Sequence, residues 1–214
     1  MTKRSTLASH TKIWKWVGQI ANRSDMHVLE IGSRSLAPTP SWKKFIPNAN
    51  YIGIDVIDGS NVDVVGDAHR LSDCFQGQKF DLIMSFAVLE HVALPWIVAS
   101  ELATLLNNGG YTVHEMHFTY SEHGLPWHFF QFNSIALEVL FCPELGFEVI
   151  DSGLDNPIDG VFSPEAAGYL AGKPVDHLFC HSSIIAQMVE HSQATDFKWS
   201  DVADRIRTTS MYPS

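Results

Sequence analysis

Three acidic side chains stand at matching places beside apolar, strand-like runs. Glu30 lies in "HVLEIG", Asp55 closes "YIGID", and Asp67 follows Gly66 in "VVGDAHRL". An acid at a strand end can accept both hydroxyls of a ribose, or a hydrogen bond from an amine. Close approach of the backbone to a ligand needs a glycine, which Gly32 supplies, but Ser33, Arg34 and Ser35 follow it. A dinucleotide loop requires two more glycines, because a pyrophosphate rests on bare backbone at a helix N-terminus. The loop therefore suits a ligand without phosphate. S-adenosylmethionine, with an amino-acid end, a sulfonium and an adenosine, meets that description.

Histidines form the second group. His91 follows the run "FDLIMSF", and His117 and His123 follow "GYTVHEM". Imidazole titrates near neutral pH, so His117 or His91 could take a proton from an acceptor hydroxyl. A histidine that merely holds a loop is an equally ordinary reading of each. With 11 histidines in the chain, metal binding has to be considered. His114 and His117 differ in strand parity and point to opposite faces. No H-E-x-x-H spacing is present, and bridging to His123 requires the loop to fold back. No metal ligand set is expected. The aromatic run "LPWHFFQF" around Trp127 reads as a cover over an acceptor, as core packing, or as both with alternate residues facing in and out.

These residues need a frame. Strand-like runs recur at 28–31, 51–55, 62–65, 80–86 and 110–116, and again at 146–153 and 182–189. Helical patterns lie near 7–20, from Pro95 to Leu106 before "NNGG", from Asn133 to Phe141, and at 196–206. Alternation of strands and helices predicts parallel pairing through crossovers. The stretch 154–174, rich in Gly, Pro and Ala, reads as a loop or lid. At 214 residues and 45% hydrophobic, the chain suits one domain spanning 1–214. Residues 1–22 form its N-terminal helix, with 118–133 and 153–181 as segments to cover a substrate or to make a homodimer contact. Net charge is −10, which disfavours a nucleic-acid partner. Three scattered cysteines, no secretion signal and no apolar run of membrane-spanning length point to a cytoplasmic protein away from membranes.

Taken in order, "LEIG", "GID", "GDAHRL", "FDLIMSFAVLEHV", "LPW" and "LNNGGY" resemble the class I S-adenosylmethionine-dependent methyltransferases, specifically the methyltransferase-type-11-like group. The similarity runs from about Val28 to Ile150. Arg34 and Leu36 stand where the commoner pattern has glycines, and His128, Phe130 and Gln131 replace an acid, a tryptophan and an arginine in the later motif. The resemblance implies a Rossmann-like, seven-stranded, mostly parallel α/β sheet with helices on both faces and its last strand antiparallel. It implies methyl transfer to an oxygen or nitrogen of a small-molecule or glycan-like acceptor. Glu30, Gly32 and Ser33 would hold the methionine end, Asp55 and Val56 the ribose side, and Asp67 with Ala68 the adenine. Phe86 would pack near the adenosine, with His123 and Trp127 toward the acceptor. Two rivals stay open: a catalytically silent module that binds the cofactor or a partner, and a nicotinamide-dependent oxidoreductase. "SFAV" after the fourth strand argues against DNA-base methylation, whose D/N-P-P-Y segment grips a target amine.

Overall fold

The computed structural model describes Ser9 and residues 12–36, 41–189 and 197–209. The first helix, α1 (Ile13–Ala21), buries Ile13, Val17 and Ala21, one stripe at helical spacing. Leu7, expected in this helix, lies outside the described residues. Strand β1 (His27–Ile31) and α2 (Trp42–Phe45) follow, then β2 (Asn50–Asp55) and β3 (Val64–Val65). Next come α3 (Leu71–Phe75), β4 (Phe80–Phe86), α4 (Pro95–Leu105), β5 (Leu106–His117) and α5 (Ser134–Leu140). Two long strands, β6 (Phe147–Val161) and β7 (Pro174–Met188), precede α6 (Trp199–Thr209).

The sheet has seven strands in the order β3-β2-β1-β4-β5-β7-β6. Strands β1 to β5 pair in parallel, while β7 runs antiparallel to both β5 and β6. The expected architecture is the observed one. Alternation along β1 sends Leu29 and Ile31 to one core and Val28 to the other. The first core is filled from α3, α4, α5 and α6 by residues such as Leu71, Leu102, Leu137 and Val202. The second lies under α1 and α2, where the Trp14 and Trp42 rings stack 3.6 Å apart. Pro95 opens α4, and the Asn133 side chain accepts from the Ala136 amide at 2.8 Å to cap α5, both as the sequence predicts.

Six elements differ from expectation. Strand β3 keeps only Val64–Val65, and β5 begins at Leu106, absorbing "NNGG" through a register shift opposite Phe80 and Leu82. The short helices α2 and α3 were not anticipated. The largest correction concerns 154–174, read as a loop or lid: β6 runs on to Val161 and β7 starts at Pro174, so the stretch forms the end of a two-stranded arm. Pro157 and Gly160 obscured the strand. Because β6 is an edge strand, a residue without an amide hydrogen is tolerated there. Register shifts near Ile158 and Gly160 accommodate the irregularity.

Candidate active site

The carboxyl ends of β3, β2, β1 and β4 lie side by side, and each contributes a loop to one rim. Gly32 begins the loop after β1. Its φ is +72°, and its amide donates to the Ile54 carbonyl at 2.8 Å. A Cβ at Gly32 would lie 2.3 Å from Val88 Cγ2, so the loops after β1 and β4 touch only because this residue has no side chain. Ser33 is buried, its amide also reaches Ile54 O at 3.1 Å, and its hydroxyl has no hydrogen-bond partner among the described residues.

Glu30 sits within β1, opposite Gly53 of β2, and accepts a hydrogen bond from the Tyr51 hydroxyl. Burial raises its pKa to about 7, against the lowering effect of the Tyr51 bond. Tyr51 in turn is held protonated well above its usual range by burial and by the Glu30 carboxylate. Asp55, at the tip of β2, accepts from the Arg34 amide at 3.3 Å and the Ile57 amide at 2.9 Å. The Arg34 guanidinium lies 3.7 Å from its Oδ1. Arg34, one of the two residues in glycine positions, thus helps fix the acid of the neighbouring strand. Val56 and Ile57 beside it are exposed and apolar.

Asp67 caps the 3-10 turn Ala68–Arg70, its Oδ1 accepting from the His69 amide at 2.9 Å with His69 Nδ1 at 2.6 Å. These bonds and the His69 and Arg70 charges hold its carboxyl below the usual range, although its partial burial pushes upward as the largest single effect. The Gly66 amide donates to Asp55 O at 2.9 Å, so the loops of the two acids are adjacent. Phe86 is half-buried and stacks on Trp42 with centroids 4.8 Å apart, facing the aromatic core beneath α1. It is tied to packing there as well as standing at the rim.

The histidines gather beside this rim. The 3-10 turn Leu89–His91 follows β4, and the segment 118–133 folds back onto it: the Phe129 amide donates to Glu90 O at 2.8 Å. Parity separates His114 from His117 as expected. His114 is fully buried against Phe141, between Ser85 Oγ and Thr112 Oγ1, each 2.6 Å away. Burial lowers its pKa to about 3. His117 instead meets His123, with ring centroids 4.9 Å apart, so the fold-back that the sequence did not reveal does occur. The Glu90 carboxylate is completely buried, with Oε1 2.7 Å from His117 Nδ1. Because a carboxylate accepts, that nitrogen donates, and Nε2 keeps its lone pair. His91 Nδ1 lies 2.6 Å from the Trp127 carbonyl, and His91 Nε2 lies 3.1 Å from His123 Nε2. Trp127 is 64% exposed and Phe132 only 6%, so the aromatic run faces both outward and inward. Glu90 was not singled out from the sequence; an acid next to His91 and ahead of a helix was its only signal.

A cleft of about 420 Å³ lies at the opposite, amino-terminal end of the sheet, lined by residues such as Arg23, Asp81 and Tyr111. It is remote from all the chemistry above. No helix among the described residues is long and apolar enough to cross a membrane.

The family model of a methyltransferase domain matches residues 8–150. No curated protein matches the chain. Among solved structures, an S-adenosylmethionine-dependent methyltransferase from Archaeoglobus fulgidus is similar at 16% identity and TM-score 0.55, over 84% of this chain and 94% of that one. The Synechocystis magnesium protoporphyrin IX methyltransferase with bound cofactor is similar at 14% identity and TM-score 0.52, over 83% and 76%. The CurJ carbon methyltransferase is matched at 18% identity and TM-score 0.52, over 83% of this chain but 52% of its own length. The strand order, the glycine-bearing turn after β1 and the family match agree: the chain belongs to the methyltransferase-domain family and has the fold of the class I S-adenosylmethionine-dependent methyltransferases.

Proposed function

We propose that the protein transfers a methyl group from S-adenosylmethionine to an oxygen or nitrogen of a small-molecule or glycan-like acceptor. The observation that carries this reading is the adjacency of the carboxyl ends of β1, β2 and β3, with an acid near each end (Glu30 inside β1, Asp55 closing β2, Asp67 after β3) and one glycine directly after the first. Gly32 lets the loops after β1 and β4 close on each other, and the buried Ser33 hydroxyl, without a hydrogen-bond partner among the described residues, is a polar group beside that turn. Both features fit the methionine end of the cofactor.

When bound, the cofactor supplies an electrophilic methyl group on a sulfonium. Glu30 would face the ammonium group of the amino-acid end, and would ionise more readily with that charge beside it. Asp55, already oriented by two amides, accepts from the ribose hydroxyls, with Val56 alongside. Asp67 and Ala68 border the adenine, and Phe86 backs the pocket. On the acceptor side, His123 and Trp127 line the approach. His117 would take the acceptor's proton on Nε2, and buried Glu90 would stabilise the resulting imidazolium through Nδ1. His91, tied to Trp127 O and His123, holds the loop in place. Much of the acceleration comes from alignment of acceptor, methyl carbon and sulfur.

Calorimetric titration with S-adenosylmethionine, and separately with nicotinamide nucleotides, tests the cofactor. A methyl-labelled cofactor offered with a cell extract tests transfer. Saturable binding with label appearing in a small molecule is the expected result. Binding without any labelled product would favour a silent module, and protection by a nicotinamide nucleotide alone would overturn the reading.

A further inference from the structure

At the end of β5, His117 lies directly opposite His181 of β7. Opposed residues of an antiparallel pair put their side chains on one face, with Cβ atoms about 4.5–5.5 Å apart. The two imidazole rings are 5.2 Å apart and tilted by 35°. Cys180 precedes His181, and neighbours on a regular strand point to opposite faces. Here they converge, with Cys180 Sγ 3.9 Å from His181 Nε2. The ladder is irregular at that point: the Cys180 carbonyl accepts from the Phe118 amide at 2.8 Å and from the Thr119 amide at 3.3 Å. One donor atom from each of His117, Cys180 and His181 lies within 4.8 Å of the other two.

This arrangement is close to that of a zinc-type site. A sulfur about 2.3 Å and a nitrogen about 2.0–2.1 Å from one tetrahedral ion are about 3.6 Å apart. The Cys180–His181 separation of 3.9 Å needs little change. Two nitrogens on such an ion are about 3.4 Å apart, and a gap of 4.8 Å closes to that when each side chain shifts by less than about 1 Å. The far side of each ring is held, as is usual for ligating histidines. His117 Nδ1 donates to the buried Glu90 carboxylate at 2.7 Å, so its lone pair is on Nε2. His181 Nδ1 lies 2.8 Å from the Asn156 carboxamide. Turned over, that amide accepts from Nδ1 through its oxygen and leaves the His181 lone pair on Nε2, beside the Cys180 sulfur. Charge favours a cation as well. Burial and the Glu115 carboxylate hold the Cys180 thiol above its ordinary pKa, and that negative charge attracts a dication.

We propose that His117 and His181, through Nε2, and Cys180, through its thiolate, form a binding site for a divalent thiophilic metal ion of the Zn²⁺ kind, with Glu90 and Asn156 orienting the two imidazoles. Three protein ligands leave one position for water. Binding breaks the S–H bond, forms the metal–sulfur bond and releases the proton to solvent; nothing is oxidised. The ion occupies the lone pair on which an acceptor's proton would be taken up, so the loaded protein is a resting form. That consequence rests on the proposed methyl transfer, whereas ion binding itself does not. Glu90, His117 and His123 form a second group within 4.8 Å and are the rival ligands, but they include no thiol.

The test is titration of the untagged, reduced protein with Zn²⁺ by calorimetry and with Co²⁺ by absorption. One ion per chain should bind, with tetrahedral Co²⁺ d–d bands and a sulfur-to-metal charge-transfer band that Cys180→Ser abolishes. Asn156→Ala should raise the Zn²⁺ Kd about 10–100-fold, and Cys180→Ser and His181→Gln by more. His123→Ala should change it by less than about tenfold, below that range. Thermal unfolding midpoints check that each variant is folded. In the extract-labelling assay, Zn²⁺ should inhibit transfer over the range in which it binds. The proposal is overturned by the absence of saturable binding, by Co²⁺ binding without a thiolate band, or by binding that survives Cys180→Ser but not His123→Ala. Full transfer by ion-loaded protein would instead remove His117 as the base and leave the site standing.

Discussion

Glu30 and Tyr51 share one hydrogen bond in a half-enclosed place, and this makes a carboxyl group sensitive to the charge of its ligand. With its pKa raised to about 7 by burial, Glu30 is partly protonated at neutral pH. A cation bound beside it favours the ionised form, so binding releases a proton. Cofactor affinity should therefore fall as pH drops below 7, by up to about tenfold per unit. Glu30→Gln should flatten that slope; calorimetry in buffers of different ionisation enthalpy measures the released proton directly. Asp55→Ala removes an acceptor held by two amides and should weaken cofactor binding by about 100-fold, the loss of about 3 kcal/mol expected for a charged bidentate contact. Unchanged affinity would remove the ribose assignment. His117→Ala should slow turnover about 100-fold or more while the cofactor Kd holds, which single-turnover kinetics beside calorimetry would separate. The positions of Glu30, Asp55 and Asp67 near three neighbouring strand ends were readable because apolar runs ending in an acid mark those ends locally. Glu90 was not, because what marks it is its burial against His117, 27 positions away.

At the scale of elements, the rim is built by loops that touch through small residues. Gly32→Ala faces both the φ of +72° and a 2.3 Å approach to Val88. It should cost about 2–4 kcal/mol, read as a shift in denaturation midpoint at constant slope. Val88→Ala in the same chain should restore the part due to overlap and leave the part due to backbone conformation. Further along the sheet, β4 and β5 are pinned by His114. Its pKa of about 3 lies below the ordinary 6.5, so the unfolded chain takes up a proton that the native state refuses. That contribution to stability is complete above about pH 6.5 and is lost as pH falls from there toward 3, by up to about 1.4 kcal/mol per unit. Equilibrium unfolding at a series of pH values should show this slope in the parent and its loss in His114→Gln. The parallel strands and α4 were legible from apolar runs and from Pro95. The arm of β6 and β7 was not, because Pro157 and Gly160 imitate loop composition and only an edge position permits them. Nor was the return of 118–133 onto Glu90, since no local pattern specifies a loop that docks by its backbone.

For the molecule as a whole, the sheet joins two ways of closing an α/β layer. Five parallel strands carry the loops of the rim, and an antiparallel pair finishes the side beyond β5. The family similarity ends at residue 150, before most of that pair. Yet β7, the last strand along the chain, sits inside the sheet, with β5 on one side and β6 on the other. A newly made polypeptide consequently exposes an open backbone margin along β5 until residue 188 has left the ribosome. A chain stopped after 150 should aggregate when expressed, however much of the cofactor rim it already contains.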